Sequence, residues 1–456
     1  MEHEPNKRIV LLVAAMAAFL TPFMASSVNV ALPIIGRQFD MSAVQLSWVA
    51  TAYLLAAAVF LVPAGRLADI HGRKRVFVTG ILVYNLSTLL AAVSPNGSWL
   101  VAARLLEGIG ASMMFGTGTA IVTSVFPPHE RGRALGINVA AVYVGLSVGP
   151  TIGGFLTQHL GWRSVFLTTI PIGLLIVALV RLRLDGEWAE AGGERFDWVG
   201  SVIYGIGLIS LMVGLSQLPA MRGVGLIAGG VLALGAFGFW ELRSDSPVLD
   251  LRIFRGNRVF TFSNLAALIN YSATYGVTFL MSLFLQYIKG LSPQETGLVL
   301  MAQPVMQALF SPLAGRLSDH VEPQIVASVG MGLTAAGLFS LTWLDGTTPV
   351  GTIIISLLVL GLGFALFSSP NTNAVMSSVH KRLYGVASGT LGTMRLVGQV
   401  LSMGIVTLVF AMIIGQGTIT PEQYPGFVRS MHVDMLILSA LSLLGIFASL
   451  SRGKVR

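Results

Sequence analysis

The 456-residue sequence contains no cysteine. That excludes disulfides, thiolate metal sites, cysteine-ligated iron–sulfur clusters and a cysteine nucleophile. Charge is almost as scarce: Asp, Glu, Lys and Arg make up 11% of the chain, against about 25% in soluble globular proteins. So few charges cannot clothe several water-facing domains. The histidines (His3, His71, His129, His159, His320, His380 and His432) all fall in loops or at the ends of apolar stretches, so none can ligate haem or a metal inside a membrane. No HExxH, Walker or Gly-x-Ser-x-Gly pattern occurs. The sequence therefore argues against an enzyme, and no metal or other cofactor is expected.

What the chain has instead is apolar length, with 54% of its residues hydrophobic. A spanning helix needs roughly 20 mostly apolar residues. Fourteen stretches qualify, at 9–34, 44–64, 76–94, 99–126, 134–160, 163–181, 198–218, 223–240, 259–288, 295–314, 324–343, 350–370, 384–414 and 432–450. Their lengths and the lack of polar/apolar alternation predict an all-α polytopic membrane protein rather than a barrel. The first stretch, from Ile9 to about Ile35, is too long for a signal-peptide core and reads as an uncleaved span. The longest polar segments, 182–197 and 241–258, are too short for nucleotide-binding domains, which excludes ATP-driven transport within this chain.

Charge placement gives an orientation. Of the 28 Lys and Arg residues, 21 fall on the side that holds both ends of the chain, five fall in the opposite loops, and Arg104 and Arg395 lie inside spans. Lys and Arg collect in cytoplasmic loops, so both termini are expected in the cytoplasm of a cell (inner) membrane protein. The net charge of +8 then reflects topology and does not call for nucleic acid. An internal repeat is also present: Gly65-Arg66-Leu67-Ala68-Asp69 follows the second span, and Gly315-Arg316-Leu317-Ser318-Asp319 follows the tenth, 250 residues later. Parallel repeats are a transporter signature, with substrate bound near the midplane between the halves. The expected domains are an N-terminal six-helix bundle (1–181), an inserted helix pair with flanking loops (182–258) and a C-terminal six-helix bundle (259–456).

Gly65-Arg66-Leu67-Ala68-Asp69-Ile70-His71-Gly72-Arg73-Lys74-Arg75 resembles motif A of the major facilitator superfamily. Its glycines permit a tight turn and close helix approach. Asp69 can accept charge-assisted hydrogen bonds from Arg73, or from Arg131 or Arg133 in the next inner loop, as a lock that breaks when an inner gate opens. In the fifth span, Gly145, Gly149 and Gly153 recur every four residues and make one smooth face, and Pro150 kinks the helix. This segment is similar to motif C of the exporter branches, a resemblance that implies export. Val28-Asn29-Val30-Ala31-Leu32-Pro33, Trp240-Glu241 and Pro247–Phe254 look like the fourteen-helix drug:proton antiporter branch, of the multidrug efflux type. That resemblance implies two rocking bundles, an amphipathic small-molecule substrate, protons and the lipid bilayer as partners, and a monomer. The branch usually carries an acid implicated in proton coupling or cation recognition where this chain has Met24.

Only Glu107 reads as a deep acid, three residues after Arg104 and therefore on the same helix face. The segment resembles motif B, and ionisable groups inside a membrane are costly and usually functional. Proton coupling, a static ion pair and substrate contact are the three readings of the pair. Arg395 is the other deep charge, with no deep acid expected in the second half to meet it. It either faces the cavity and holds an anionic group or bonds helix-end carbonyls. Polar residues that would line the cavity are Asn29, Asn138, Tyr143, Asn270, Tyr275, Gln303, Asn371 and Asn373, with Met24 beside them. Proton-coupled efflux of amphipathic compounds is the leading expectation. Export of a lipid-like or anionic metabolite, and a non-transporting sensor that keeps the fold, are the alternatives.

Overall fold

The computed structural model describes residues 6–184, 186–189, 191–380, 383–415 and 417–453, with the side chains of residues 128 and 129 left aside. His3 lies outside the described residues. Fourteen helices are long and apolar enough to cross a membrane: α1 (Lys7–Gln38), α2 (Ala43–His71), α3 (Arg73–Ala92), α4 (Gly97–Val125), α5 (Glu130–His159), α6 (Arg163–Arg183), α7 (Trp198–Ser216), α8 (Met221–Glu241), α9 (Arg258–Ile288), α10 (Pro293–Leu317), α11 (Pro323–Trp343), α12 (Val350–Ser377), α13 (Tyr384–Ile413) and α14 (Pro421–Ser451). The expected all-helical architecture is therefore present. Among the described residues, the only extended pairing is a single bridge between Ser42 and Thr418.

Helices α1 to α6 pack on one another, with α1 against α5 and α4 against α2 and α3. Helices α9 to α14 form a second group, with α9 against α13 and α14, and α12 against α10 and α11. The two groups meet through α1 with α9, α2 with α13, and α5 with α10. Helices α7 and α8 pack mainly on each other, and α7 also touches α2 and α13. The repeat reaches further than its five-residue motif. Ser42 and Gln45 form a capping box at the start of α2, and Ser292 and Glu295 form one at the start of α10. These pairs are also 250 residues apart, and each satisfies two backbone donors that a helix start leaves open.

Proline shapes the contact between the groups. In α1, Pro33 supplies no N–H, so the carbonyl of Asn29 loses its helical donor, and hydrocarbon offers no water to replace it. The hydroxyl of Ser282 on α9 donates to that carbonyl at 2.7 Å. Beside it, Gln286 Nε2 donates to Val30 O at 2.9 Å, and Tyr287 Oη to Pro33 O at 3.2 Å. Ser47 on α2 bonds Thr407 on α13 at 2.9 Å, His159 meets Gln294 at 3.0 Å, and Ala43 N donates to Gly417 O at 3.1 Å. All of these lie toward the face opposite the chain termini. These hydrogen bonds between the two groups gather there.

Candidate translocation site

The Arg104–Glu107 pair is central to the first group. One helical turn brings the side chains together: Arg104 Nη1 donates to Glu107 Oε2 at 2.7 Å, and both residues are buried, at 1% and 0% exposure. Glycines explain the depth. A Cβ at Gly108 would meet Ala56 Cβ at 2.9 Å and Ala57 N at 3.0 Å, and one at Gly110 would meet Tyr84 N at 2.6 Å. Glycine at these positions thus lets α2 and α3 close over α4. Arg104 Nε donates to Val49 O at 3.1 Å, and its guanidinium lies 4.4 Å from the Tyr53 ring centroid. The second carboxylate oxygen, Glu107 Oε1, has no partner. The buried Tyr84 hydroxyl approaches Glu107 without completing a hydrogen bond and is itself unpartnered. Tyr275, from the second group, lies within electrostatic reach of Arg104. The cluster thus holds a charge pair whose anion keeps one free oxygen.

At the terminal face, Asp69 accepts from Arg73 Nε at 2.9 Å and from Nη2 at 2.8 Å. Arg73 Nη1 also donates to Ser124 Oγ at 2.6 Å, so one guanidinium joins the ends of α2, α3 and α4. Of the donors expected for Asp69, the structure uses Arg73. Arg131 instead bonds Phe126 O at 2.8 Å, and Arg133 is exposed. Gly72 has φ +111°, a conformation that favours glycine. Gly65, by contrast, is an ordinary residue inside α2 and makes no turn. The loop after α6 lies across this motif. Glu187 accepts from Lys74 N at 2.7 Å and Arg75 N at 3.2 Å, Trp188 O accepts from Arg73 N at 2.8 Å, and Glu194 pairs with Arg66.

The glycine face of α5 packs on the backbone of α1. A Cβ at Gly145 would meet Phe19 O at 2.6 Å, one at Gly149 would meet Phe23 O at 2.9 Å, and one at Gly153 would meet Ser27 Cα at 2.6 Å. Ser27 Oγ donates to Gly149 O at 2.8 Å and locks the register. Next to this face, Gly297 of α10 sits against the carbonyl of Pro150, and a Cβ there would meet Thr151 Cα at 3.2 Å. The Gly149–Pro150 segment therefore serves two contacts, one within its group and one between groups.

The profile of the Major Facilitator Superfamily matches residues 14–403. The chain belongs to that superfamily. It is thus a membrane transporter by family and not an enzyme. Its curated relatives include the riboflavin transporter RibZ of Clostridioides difficile, 30% identical over 86% of this chain and 85% of that protein. The cephamycin export protein CmcT of Amycolatopsis lactamdurans is 32% identical over 96% of this chain and 90% of its own. The tetracenomycin C resistance and export protein of Streptomyces glaucescens is 29% identical over 91% and 77%. Among solved structures, a bacterial homologue of the human lysosomal transporter Spinster superposes with a TM-score of 0.72 at 17% identity, over 98% of both chains, a likeness of fold.

The remaining expected cavity residues separate into two sets. Met24, Asn29, Asn270, Gln303 and Asn371 are buried in helix packing. Asn371 is held by two bonds inside the second group, donating to Ser263 O at 3.1 Å and accepting from Arg452 at 3.2 Å. Both amide atoms of Asn270 lack partners, as does Asn138 Oδ1. Asn373 is exposed and donates to Ser318 Oγ at 2.9 Å. Tyr143, Tyr275 and Arg395 are partly exposed. Arg395 takes the hydroxyl of Thr372 as its partner, at 2.8 Å, and not a helix-end carbonyl.

One expectation is overturned. The second half does hold a deep acid: Asp434 is fully buried near the middle of the helix that runs from Tyr424 to Ser451, and neither oxygen has a partner. The expected last span, 432–450, puts Asp434 at its end, with Pro425, Gly426 and Arg429 before it. These residues instead form the first turns of α14, which moves Asp434 from a span end to the interior. Among charged residues, Arg452 was also missed; it is buried at the end of α14, where it bonds Ser449 O at 2.9 Å.

Proposed function

We propose that this transporter exports amphipathic small molecules in exchange for protons, as a monomer in a cell inner membrane with both termini cytoplasmic. The two rocking bundles are residues 1–181 and 259–456, and 182–258 is the inserted pair. In this orientation the hydrogen bonds between bundles hold the outer end together. The observation that carries the reading is the buried Arg104–Glu107 pair with its unpartnered oxygen. Glu107 has somewhere to hold a proton, and Arg104 is the neighbour whose approach or withdrawal decides whether it does. A proton moving inward gains about 2.3 kcal/mol per 100 mV of membrane potential. Breaking Asp69–Arg73 frees the ends of α2, α3 and α4, and the Gly149–Pro150 joint lets α5 move against α1 and α10. The export sense draws on the relatives named for export and on the motif C resemblance.

The reading is tested in cells that accumulate an amphipathic dye. Expression lowers accumulation, a protonophore restores it, and the Glu107→Gln protein has no effect on it. Protonophore-insensitive efflux contradicts proton coupling, and raised accumulation contradicts export.

A further inference from the structure

Arg395 stands in the interior of α13, and among the described residues no acid pairs with it. Its Nη2 donates to Thr372 Oγ1 on α12 at 2.8 Å, its guanidinium lies 5.7 Å from the centroid of the Tyr271 ring on α9, and its Nε is buried with no partner. The Thr372 hydroxyl itself donates to Ser368 O at 2.8 Å, so it presents a lone pair to Arg395. From the other bundle, Tyr143 of α5 comes within electrostatic reach of Tyr271. One turn before Arg395, a Cβ at Gly392 would lie 3.6 Å from Leu61 of α2. Arg395 therefore stands where the bundles face each other. The outer hydrogen bond at Thr407 is twelve residues further along α13, roughly 18 Å at the helical rise.

The charge inventory gives this position a sign. Among the described residues, four charged side chains lie deep within spans: Arg104, Glu107, Arg395 and Asp434. Arg104 and Glu107 offset each other. Asp434 belongs to α14, which packs on α9, α11 and α13, and among the described residues no charged side chain lies against it. What remains at the junction is one guanidinium with spare donors beside the Tyr271 ring, with Tyr143 of the other bundle near that ring. At the first-helix position Met24 adds no charge and is buried.

We infer that Arg395, with Thr372, Tyr271 and Tyr143, forms the subsite for the anionic group of an amphipathic substrate. The chemistry is a carboxylate, sulfonate or phosphate joined to an apolar body. A guanidinium offers two parallel donors to such a group, and the tyrosine rings cover the apolar part. This deepens the transport reading by naming its substrate class, and it rests on that reading for the location of the cavity.

The probes are tetraphenylborate and tetraphenylphosphonium, ions of matched shape and opposite charge, in a thermal-shift measurement on the purified full-length protein. The wild type is stabilised by the borate at least tenfold lower concentration than by the phosphonium. Arg395→Gln, melting as the wild type does without probe, loses that preference, and Arg395→Lys retains part of it. Equal response to both ions, preference for the phosphonium, no response to either, or an unchanged preference in Arg395→Gln overturns the proposal. If Arg395→Gln does not fold, Arg395→Lys decides alone, read with naphthalene sulfonate, whose oxygens can take two parallel donors: equal stabilisation of Arg395→Lys and the wild type refutes bidentate recognition. Competition then separates the sources. Displacement of the borate by naphthalene sulfonate points to a soluble organic anion, displacement by lysophosphatidate points to a lipid, and displacement by neither overturns the proposal. A borate preference without substrate-driven proton flux leaves this subsite standing and removes the coupling reading; the reverse result does the opposite.

Discussion

Removing the α1–α9 hydrogen bonds in the double variant Ser282→Ala/Gln286→Leu is predicted to open the outer end of the transporter. Ser282 supplies the donor that Pro33 denies to the carbonyl of Asn29, and Gln286 supplies one to Val30. Each bond contributes about 1 kcal/mol net, and a buried carbonyl left without a donor costs about 1–3 kcal/mol. When the bundles separate at this end, water reaches the carbonyls, so the penalty falls on the closed arrangement alone. The equilibrium should shift by about 2–4 kcal/mol, roughly 30-fold to several hundred-fold. A 99:1 preference for the outward-closed form would fall to near parity or reverse. Because the chain has no cysteine, spin labels can be placed at Ser98→Cys and Gly346→Cys on an otherwise untouched protein. Both positions are exposed at the face opposite the termini, on different bundles. Double electron–electron resonance should then show a second, longer distance at comparable amplitude in the double variant. An unchanged distance distribution in a folded double variant would refute the reasoning.

Three further outcomes follow from the packing and the loops. Gly149→Leu drives a side chain into the α1 backbone and should lower thermal stability by about 1–3 kcal/mol, whereas Gly65→Ala, with nothing within 4 Å of its Cβ, should melt at or above the wild-type temperature; equal losses in the two variants would sink the contrast. Asp434→Leu keeps a branched outline while removing a buried carboxyl that has no partner among the described residues, and calorimetry should register a higher melting temperature, for a stability gain of about 1–3 kcal/mol; a lower melting temperature would mean that Asp434 has a partner in the folded protein. Asp345, in the α11–α12 loop, accepts from the hydroxyls and amides of Thr347 and Thr348, which hold its pKa at about 2. Its contribution is therefore present above the unfolded value of about 3.9 and lost as pH falls through about 2. Asp345→Asn should flatten the fall in melting temperature between pH 4 and pH 2, and superimposable acid limbs would contradict this.

Much of the fold could be read from the chain because lipid leaves backbone polar groups few choices. Fourteen apolar stretches became fourteen helices in the expected order. Spacing also gave local geometry: Arg104 and Glu107 are in contact because they are three residues apart, and Gly145, Gly149 and Gly153 share a face because they are four apart. What spacing does not carry is partner choice across helices. Asp69 had three arginines available, and the structure uses the one four residues away on the adjoining helix start. The strap from Glu187 to Glu194 over the motif was invisible because it depends on a loop folding back. Asp434 was missed because polar residues in the first turns of α14 disguised its beginning. Asn371 looked like a cavity residue by composition, but its partner Arg452 is 81 residues away in sequence.

The measurement that bears most directly on the account is proton uptake in proteoliposomes on addition of a transported substrate, comparing the wild type with Glu107→Gln. The wild type should move protons when substrate is added, and Glu107→Gln, inserted to the same level, should move none. Unchanged substrate-driven proton flux in Glu107→Gln would show that coupling lies elsewhere and would leave the Arg104–Glu107 pair as a static strut within α4.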